Sequence, residues 1–364
     1  MTERTELRRQ VRDLCRSRRD EGRYRPRADA WLRSFDLEFS RELARHGWIG
    51  MTWPRRVGGA ERSNVDRLVV TEELLRAGAP VAAHWIGDRQ IGPSILRHGT
   101  PELQREILPG IASGDHVLCL GMSEPEAGSD LAAVRTTARP TAGGWRVDGR
   151  KIWTSHAHRA THSYLLARTE RTERKHDGLT EFLVDMDSPG ITVTPIVDMA
   201  GSHHFNEVVF EDVFVPAGRV IGVAGQGWRQ VTEQLAHERG GPERVLSTYP
   251  VLAGLLTANA EWDEGLLVEL GELVARLGTL RAMCVRVAEA LDTGTSPIRE
   301  AATLKYLGTE FERDVLEFAR GAAVPGVLAP DDPLGEAILA APGFSIRGGS
   351  SEVLLSILAK QEAL

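Results

Sequence analysis

Apolar residues recur along this chain with three successive periods. From the start to about Asp115 they fall at helical spacing. Phe35, Phe39 and Leu43 lie four apart, Leu68, Val69, Glu72, Leu74 and Leu75 form a second run, and Pro54 with Gly58-Gly59 punctuates a loop between them. From about His116 to Val220 the pattern shortens to apolar or alternating stretches at 117–122, 144–147, 164–167, 181–184, 191–196 and 207–214. Gly, Pro, Asp and Ser separate them, which predicts a small antiparallel barrel or sandwich. After Gly225-Gln226-Gly227 helical spacing returns in Leu252, Leu255 and Leu256, then in Leu266, Leu270, Val274, Leu277, Leu280 and Val285, then between Leu304 and Phe318. Helices, strands and helices in that order predict an α+β fold. An N-terminal helical domain (1–115) and a C-terminal helical bundle (221–364) flank a β-domain (116–220).

Composition narrows the function classes. A hydrophobic content of 42% and a charged content of 26% belong to a globular protein, and a formal net charge of −7 gives no support for nucleic acid or an anionic membrane as partner. Arginines crowd the N-terminus, but Glu3, Glu6, Asp13, Asp20 and Glu21 are interleaved with them, and Leu7, Val11 and Leu14 recur at helical spacing. A solvated amphipathic helix is expected there rather than an acid-poor transit peptide. No apolar run reaches the ~18 residues of a membrane span. Cys15, Cys119 and Cys284 are too scattered for a disulfide framework or a zinc pattern, so a cytoplasmic protein without a metal is expected.

The densest chemistry lies in Leu120-Gly121-Met122-Ser123-Glu124-Pro125-Glu126-Ala127-Gly128-Ser129-Asp130, followed some twenty residues on by Lys151-Ile152-Trp153-Thr154-Ser155. Small residues let backbone N–H groups approach a pyrophosphate, and an indole offers a face or edge to a ring system, so the pair suits a flat, phosphate-bearing cofactor. The intervening Trp145–Arg150 reads as strand and tight turn, which places both pieces on one sheet.

These residues resemble the acyl-CoA dehydrogenase family nearly end to end. The likeness includes His46-Gly47-Trp48 with Trp53-Pro54, the loop from Met122 to Asp130, and Trp153-Thr154-Ser155. It continues through Phe205-Asn206-Glu207-Val208 leading to Val215-Pro216, Gly225-Gln226-Gly227-Trp228, and the closing Arg347-Gly348-Gly349-Ser350-Ser351-Glu352-Val353. The resemblance implies FAD. Met122, Ser123 and the Gly128-Ser129 turn would contact the flavin and its phosphates, Trp153, Thr154 and Ser155 would flank the ring, and Ser350 and Glu352 would meet the ribityl-pyrophosphate and adenosine side. Two plain alternatives stand beside these roles: Trp153 as a core aromatic, and Ser350 as the N-cap of a final helix.

The family reaction takes a proton from the α-carbon of an acyl thioester and passes the β-hydrogen as hydride to the flavin. Many members carry the base directly before the closing Gly-Thr-Ser, where this chain has Gly348. A second family arrangement sets it on the helix after Gly-Gln-Gly-Trp, directly before an arginine, and Glu238-Arg239 matches. The resemblance therefore implies Glu238 as base, Arg239 as helix anchor or substrate neighbour, and the Gly348 N–H as a donor to the thioester oxygen. Gly240-Gly241-Pro242 should break the helix just after Glu238, with Glu233 and Glu243 as nearby substitutes. The family's Arg-x-x-Phe-Gly element and Gly-rich loop are missing from 258–265 and 320–326, which makes a dimer, or a hetero-oligomer with a related chain, the expectation. The implied partners are an acyl-CoA or acyl-carrier thioester and an electron-transfer flavoprotein or similar acceptor. A flavin monooxygenase and a non-catalytic partner subunit remain open as alternatives.

Overall fold

The computed structural model describes residues 2–257, 262–322 and 332–362, apart from the side chains of 235–238, 361 and 362. In chain order the helices are α1 (Glu3–Asp20), α2 (Ala30–Arg33), α3 (Leu37–Arg45), α4 (Asn64–Arg76), α5 (Ala82–Ile86), α6 (Gly92–His98), α7 (Pro101–Ala112), α8 (Gly227–Arg239), α9 (Tyr249–Thr257), α10 (Glu264–Asp292), α11 (Ile298–Ala322), α12 (Pro333–Ala340) and α13 (Ser351–Glu362). The strands are β1 (Leu118–Gly121), β2 (Thr137–Thr141), β3 (Gly144–Lys151), β4 (His162–Arg168), β5 (Leu179–Asp185), β6 (Ile191–Val197), β7 (His203–Pro216) and β8 (Val220–Ile221). Contacts gather these into two compact units, Met1–Phe35 with Arg62–Val81 and Ala236–Leu364, and Asp36–Glu61 with Ala82–Leu235. The helical stretch expected as one N-terminal domain thus contributes to both.

The first unit is helical. α1 packs on α4, α4 on α10, and α10 on α11, which also meets α9, α12 and α13. Helix starts follow local chemistry: Ser63 Oγ accepts from the Asp66 N–H at 3.0 Å and Asp263 Oδ1 from the Leu266 N–H at 2.9 Å. α1 buries Leu7, Val11 and Cys15, but its arginines are not simply solvated, because Arg8 and Arg12 bond the buried Glu72 and Glu73 of α4. α10 turns Leu273, Leu280, Cys284 and Val287 inward. Val274, expected in that stripe, sits 100° around the helix from Leu273 and is exposed.

The second unit is built on an eight-stranded sheet in the order β6-β7-β3-β2-β4-β5-β8, with β1 paired to β4. It is mixed rather than wholly antiparallel, since β1 and β2 both run parallel to β4. β1 enters from α7 and reaches β4 only after the β2–β3 hairpin, a connection long enough for a parallel pair. β2, Thr-Ala-Arg-Pro-Thr, carries no apolar alternation and buries only Ala138, so nothing in the pattern marked it. The tight turn expected before Lys151 is instead a bulge. β3 shifts register between Val147 and Gly149 and stays paired to β7 through Lys151↔Val208. Val147, Leu165, Ala167, Phe182, Val184, Phe210 and Val213 form one core, and Trp53, Ile107, Leu118, Tyr164 and Leu183 belong to another.

Candidate active site

In the second unit the two motifs meet. After β1 the chain folds back on itself, with reciprocal backbone bonds between Glu124 and Ala127 at 3.0 and 3.1 Å. The Glu124 carboxylate turns inward, accepting from the N–H groups of Arg135 (2.6 Å) and Thr136 (2.9 Å) and from Lys151 Nζ (2.9 Å). Lys151, fully buried at the end of β3, donates its remaining reach to the Met122 carbonyl at 3.0 Å, and the Ile152 N–H bonds the Ser123 carbonyl at 3.0 Å. Burial would raise the Glu124 carboxyl, but Lys151 and the two N–H groups hold it below its ordinary value. Burial pushes the Lys151 ammonium down to about 8 against the pull of Glu124. A buried ion pair thereby sets Met122 and Ser123 beside Trp153.

Trp153 adopts a left-handed backbone (φ 59°) and the residue is 55% exposed, so it is no core aromatic. Among the described residues its one ring contact is edge-on to Phe205 at 5.7 Å. Thr154 and Ser155 are buried; the Thr154 N–H donates to the Asn206 carbonyl at 2.9 Å, and Asn206 Nδ2 donates back to the Thr154 carbonyl at 3.0 Å. Thr154 Oγ1 has no hydrogen-bond partner among the described residues. Gly128 and Ser129 lie exposed on the loop's rim, where a Cβ built on Gly128 meets nothing within 4 Å. Glu124, Lys151 and Asn206 are the supports whose roles sequence reasoning missed. A lysine at a strand end and an asparagine inside a strand were the available signals.

The first unit holds the rest. α8 ends at Arg239, as Pro242 demands, and a 3₁₀ turn at Pro242–Arg244 follows. Glu238 sits in the last turn of α8; its side chain lies outside the described residues. Arg239 is buried and its Nε donates to the Gly348 carbonyl at 3.0 Å, so these two predicted residues are joined. Gly348 and Gly349 take φ of 69° and 102°, which glycine adopts without strain. The turn is anchored by Arg347, bidentate to the buried Asp29 at 2.6 and 2.5 Å, with its guanidinium 4.8 Å from the Trp31 ring centroid. Ser350 Oγ accepts from the Val353 N–H at 3.4 Å, a long N-cap contact at the head of α13. Glu352 is exposed there, its carboxyl held low by its own N–H and by Ser350. Glu233, in the second unit, is committed to Arg97, His98 and Arg229, which removes it as a substitute base. Of the stretches noted for the missing family elements, 258–261 and 323–326 lie outside the described residues.

Three family models match in succession: the acyl-CoA dehydrogenase N-terminal domain over residues 1–115, the middle domain over 119–213 and the C-terminal domain over 263–363. The chain belongs to the acyl-CoA dehydrogenase family. As a member it is an oxidoreductase, and its relatives carry the same description. Acyl-CoA dehydrogenase IpdE1 of Mycobacterium tuberculosis is 35% identical over 336 residues, covering 89% of this chain and 86% of that protein. Among solved structures, the Tcur3481-Tcur3483 steroid ACAD superposes with a TM-score of 0.84 at 27% identity, covering 99% of this chain and 96% of that one. The ChsE4-ChsE5 complex from Mycobacterium tuberculosis superposes with a TM-score of 0.82 at 29% identity, covering 100% and 98%. Among the described residues, no helix of this acyl-CoA dehydrogenase is long and apolar enough to cross a membrane, and no cluster of His, Cys, Asp or Glu could hold a metal ion.

Proposed function

We propose that the chain catalyses FAD-dependent α,β-dehydrogenation of an acyl thioester, with Glu238 as the base. The observation that carries the cofactor is the Glu124–Lys151 lock, which draws Met122 and Ser123 against the segment that displays Trp153. An exposed indole on a left-handed backbone, a rim glycine with open space and a buried hydroxyl without a partner among the described residues fit a flat cofactor with phosphates. Met122, Ser123, Trp153, Thr154 and Ser155 would hold the ring, Gly128 and Ser129 its phosphates, and Ser350 and Glu352 the ribityl and adenosine side. Bound FAD supplies the acceptor for a hydride.

Glu238 takes the proton from the α-carbon as the Cα–H bond breaks. The β-hydrogen leaves with its electron pair, and the new double bond joins the two carbons. The thioester oxygen gains charge as the proton departs and needs a fixed donor. The Gly348 N–H serves: it donates to nothing among the described residues, and Arg239 and Arg347 hold its turn. Arg239 is a positioning residue on this reading.

The steroid ACAD description of one relative makes a ring-bearing acyl-CoA the first substrate to try. Two solved relatives are described as pairs of different chains, which supports a hetero-oligomer with a related subunit. Reoxidation falls to an electron-transfer flavoprotein or similar acceptor. The test is anaerobic mixing with a panel of acyl-CoAs while flavin absorbance is followed. Wild type should bleach and Glu238→Gln should keep its flavin but bleach about 10²–10⁴-fold more slowly, in line with loss of a general base. Equal bleaching would move the base elsewhere, and a protein that stays colourless with added FAD would make the chain a partner subunit.

A further inference from the structure

α1 and α4 of the first unit present charges that do not balance. Arg8 Nη2 donates to Glu72 at 2.8 Å and Arg12 Nε to Glu73 at 3.0 Å. Arg76 of α4 donates to the same Glu73 at 3.2 Å and to the Tyr249 hydroxyl at 3.1 Å. Beside these contacts lies a cleft of about 200 Å³ walled by Arg12, Arg16, Arg19 and Arg76, with Tyr24 and Tyr249 contributing aromatic surface. Arg12, Arg16 and Arg19 are spaced four and three apart, so they form one ridge of α1 next to the buried Leu7-Val11-Cys15 stripe.

Glu73 is the sole carboxylate among the residues lining that cleft. Four guanidinium groups line the cleft with it, and the carboxylates that meet Arg16 and Arg19, Asp13 and Asp20, lie outside the lining. Arg16 and Arg19 are the loosely held pair: Arg16 is 60% exposed and 3.9 Å from Asp13, and Arg19 is 51% exposed and bonds its neighbour Asp20 at 3.0 Å. Cys15 at the cleft adds no charge, because burial pushes its thiol up to about 12. A concave wall of arginine forks matches phosphoryl oxygens in geometry as well as charge. A single carboxylate would engage one fork and leave the others unmet. A diphosphate presents two adjoining phosphoryl groups, enough to engage both the exposed Arg16 and Arg19 and the inner Arg12 and Arg76.

We propose that this cleft binds a diphosphate group, carried by a free diphosphate, a nucleotide or coenzyme A. Arg16 and Arg19 close on the outer phosphoryl, while Arg12 and Arg76, steadied by Glu73, meet the inner one. The Tyr249 ring, 5.1 Å from the Arg76 guanidinium, offers a wall to any ring the diphosphate bears.

Calorimetric titration of the purified protein with inorganic diphosphate, ADP and coenzyme A tests this, and it is independent of flavin bleaching. Inorganic diphosphate should bind one to one, at least tenfold more weakly to Arg16→Ala/Arg19→Ala and unchanged to Arg9→Ala, which removes an exposed arginine outside the cleft. Both substituted arginines are exposed, and thermal unfolding checks that the double variant folds. ADP and coenzyme A binding no tighter than inorganic diphosphate marks a site that reads the phosphoryl groups alone. ADP or coenzyme A binding tenfold tighter, with that gain lost in the double variant, names the carrier. Failure of all three to bind, affinity indifferent to the double variant, or binding of polyglutamate in their place overturns the proposal.

Discussion

Glu181→Gln should flatten the dependence of stability on pH. Glu181 lies on β5, fully buried, with Oε2 accepting from the Tyr164 hydroxyl at 2.7 Å and from Gln230 Nε2 at 2.6 Å. Tyr164 in turn shares a 2.6 Å bond with Ser94, and Oε1 has no partner among the described residues. Burial raises the carboxyl from its ordinary 4.5 to about 7; the two hydrogen bonds pull the other way, and the charge on Glu233 adds to the rise. Between those pH values the folded chain keeps a proton that the unfolded chain releases. The stabilisation is therefore complete below about pH 4.5 and lost as pH rises through about 7. At about 1.4 kcal/mol per pKa unit the swing is about 3 kcal/mol. Glutamine keeps the shape and removes the titration, although its amide hydrogens beside the orphan position should cost about 1–2 kcal/mol at every pH. The informative quantity is consequently the slope. Urea unfolding at intervals from pH 5 to pH 8 should show the variant gaining about 2–3 kcal/mol on wild type across the range. A difference constant to within about 0.5 kcal/mol would refute a protonated Glu181.

Two further substitutions probe buried charge. Lys151→Met leaves Glu124 ionised in the core and frees the Met122 carbonyl, so urea unfolding should show a loss of about 3–5 kcal/mol and FAD should bind more weakly. Adding Glu124→Gln should recover more than half of that stability, and a single variant within about 1 kcal/mol of wild type would show that the pair is not needed. Arg347→Met strands Asp29, which is 1% exposed, and should cost a similar amount by the same measurement; Asp29→Asn alongside it should restore part of the loss.

Features that depend on neighbours in the chain were readable before the fold was known. Pro242 forecast the end of α8, and the helical spacing of Leu7 and Val11 forecast a buried face on α1. The loop at Met122 and the indole at Trp153 were legible because their chemistry is local. Their connection was not. Lys151 reaches Glu124 across 27 positions, and a lysine ending a strand usually faces water. Glu181 sits in an apolar run, Leu179-Thr180-Glu181-Phe182-Leu183, where periodicity reports a strand but not a partnered carboxyl. The glutamates that hold Arg8 and Arg12 lie 61 to 65 positions away, so the arginine cluster looked solvated. At Ser350 the local alternative, an N-cap for the final helix, is the one a hydrogen bond accompanies: its hydroxyl accepts from the Val353 N–H.

The discontinuous helical unit carries a consequence for how the chain folds as it is made. Its members Met1–Phe35 and Arg62–Val81 emerge early, yet the helices that cover them come from Ala236–Leu364. The sheet-bearing unit, closed by residue 235, is complete first. During that interval α1 and α4 have each other but not α10, leaving the faces meant for it bare. Contacts of such long sequence separation are slow to form, because the loop they close must be ordered before they return any stability. Truncations that stop between residues 235 and 264 should therefore yield a folded sheet and an aggregation-prone α1–α4 pair.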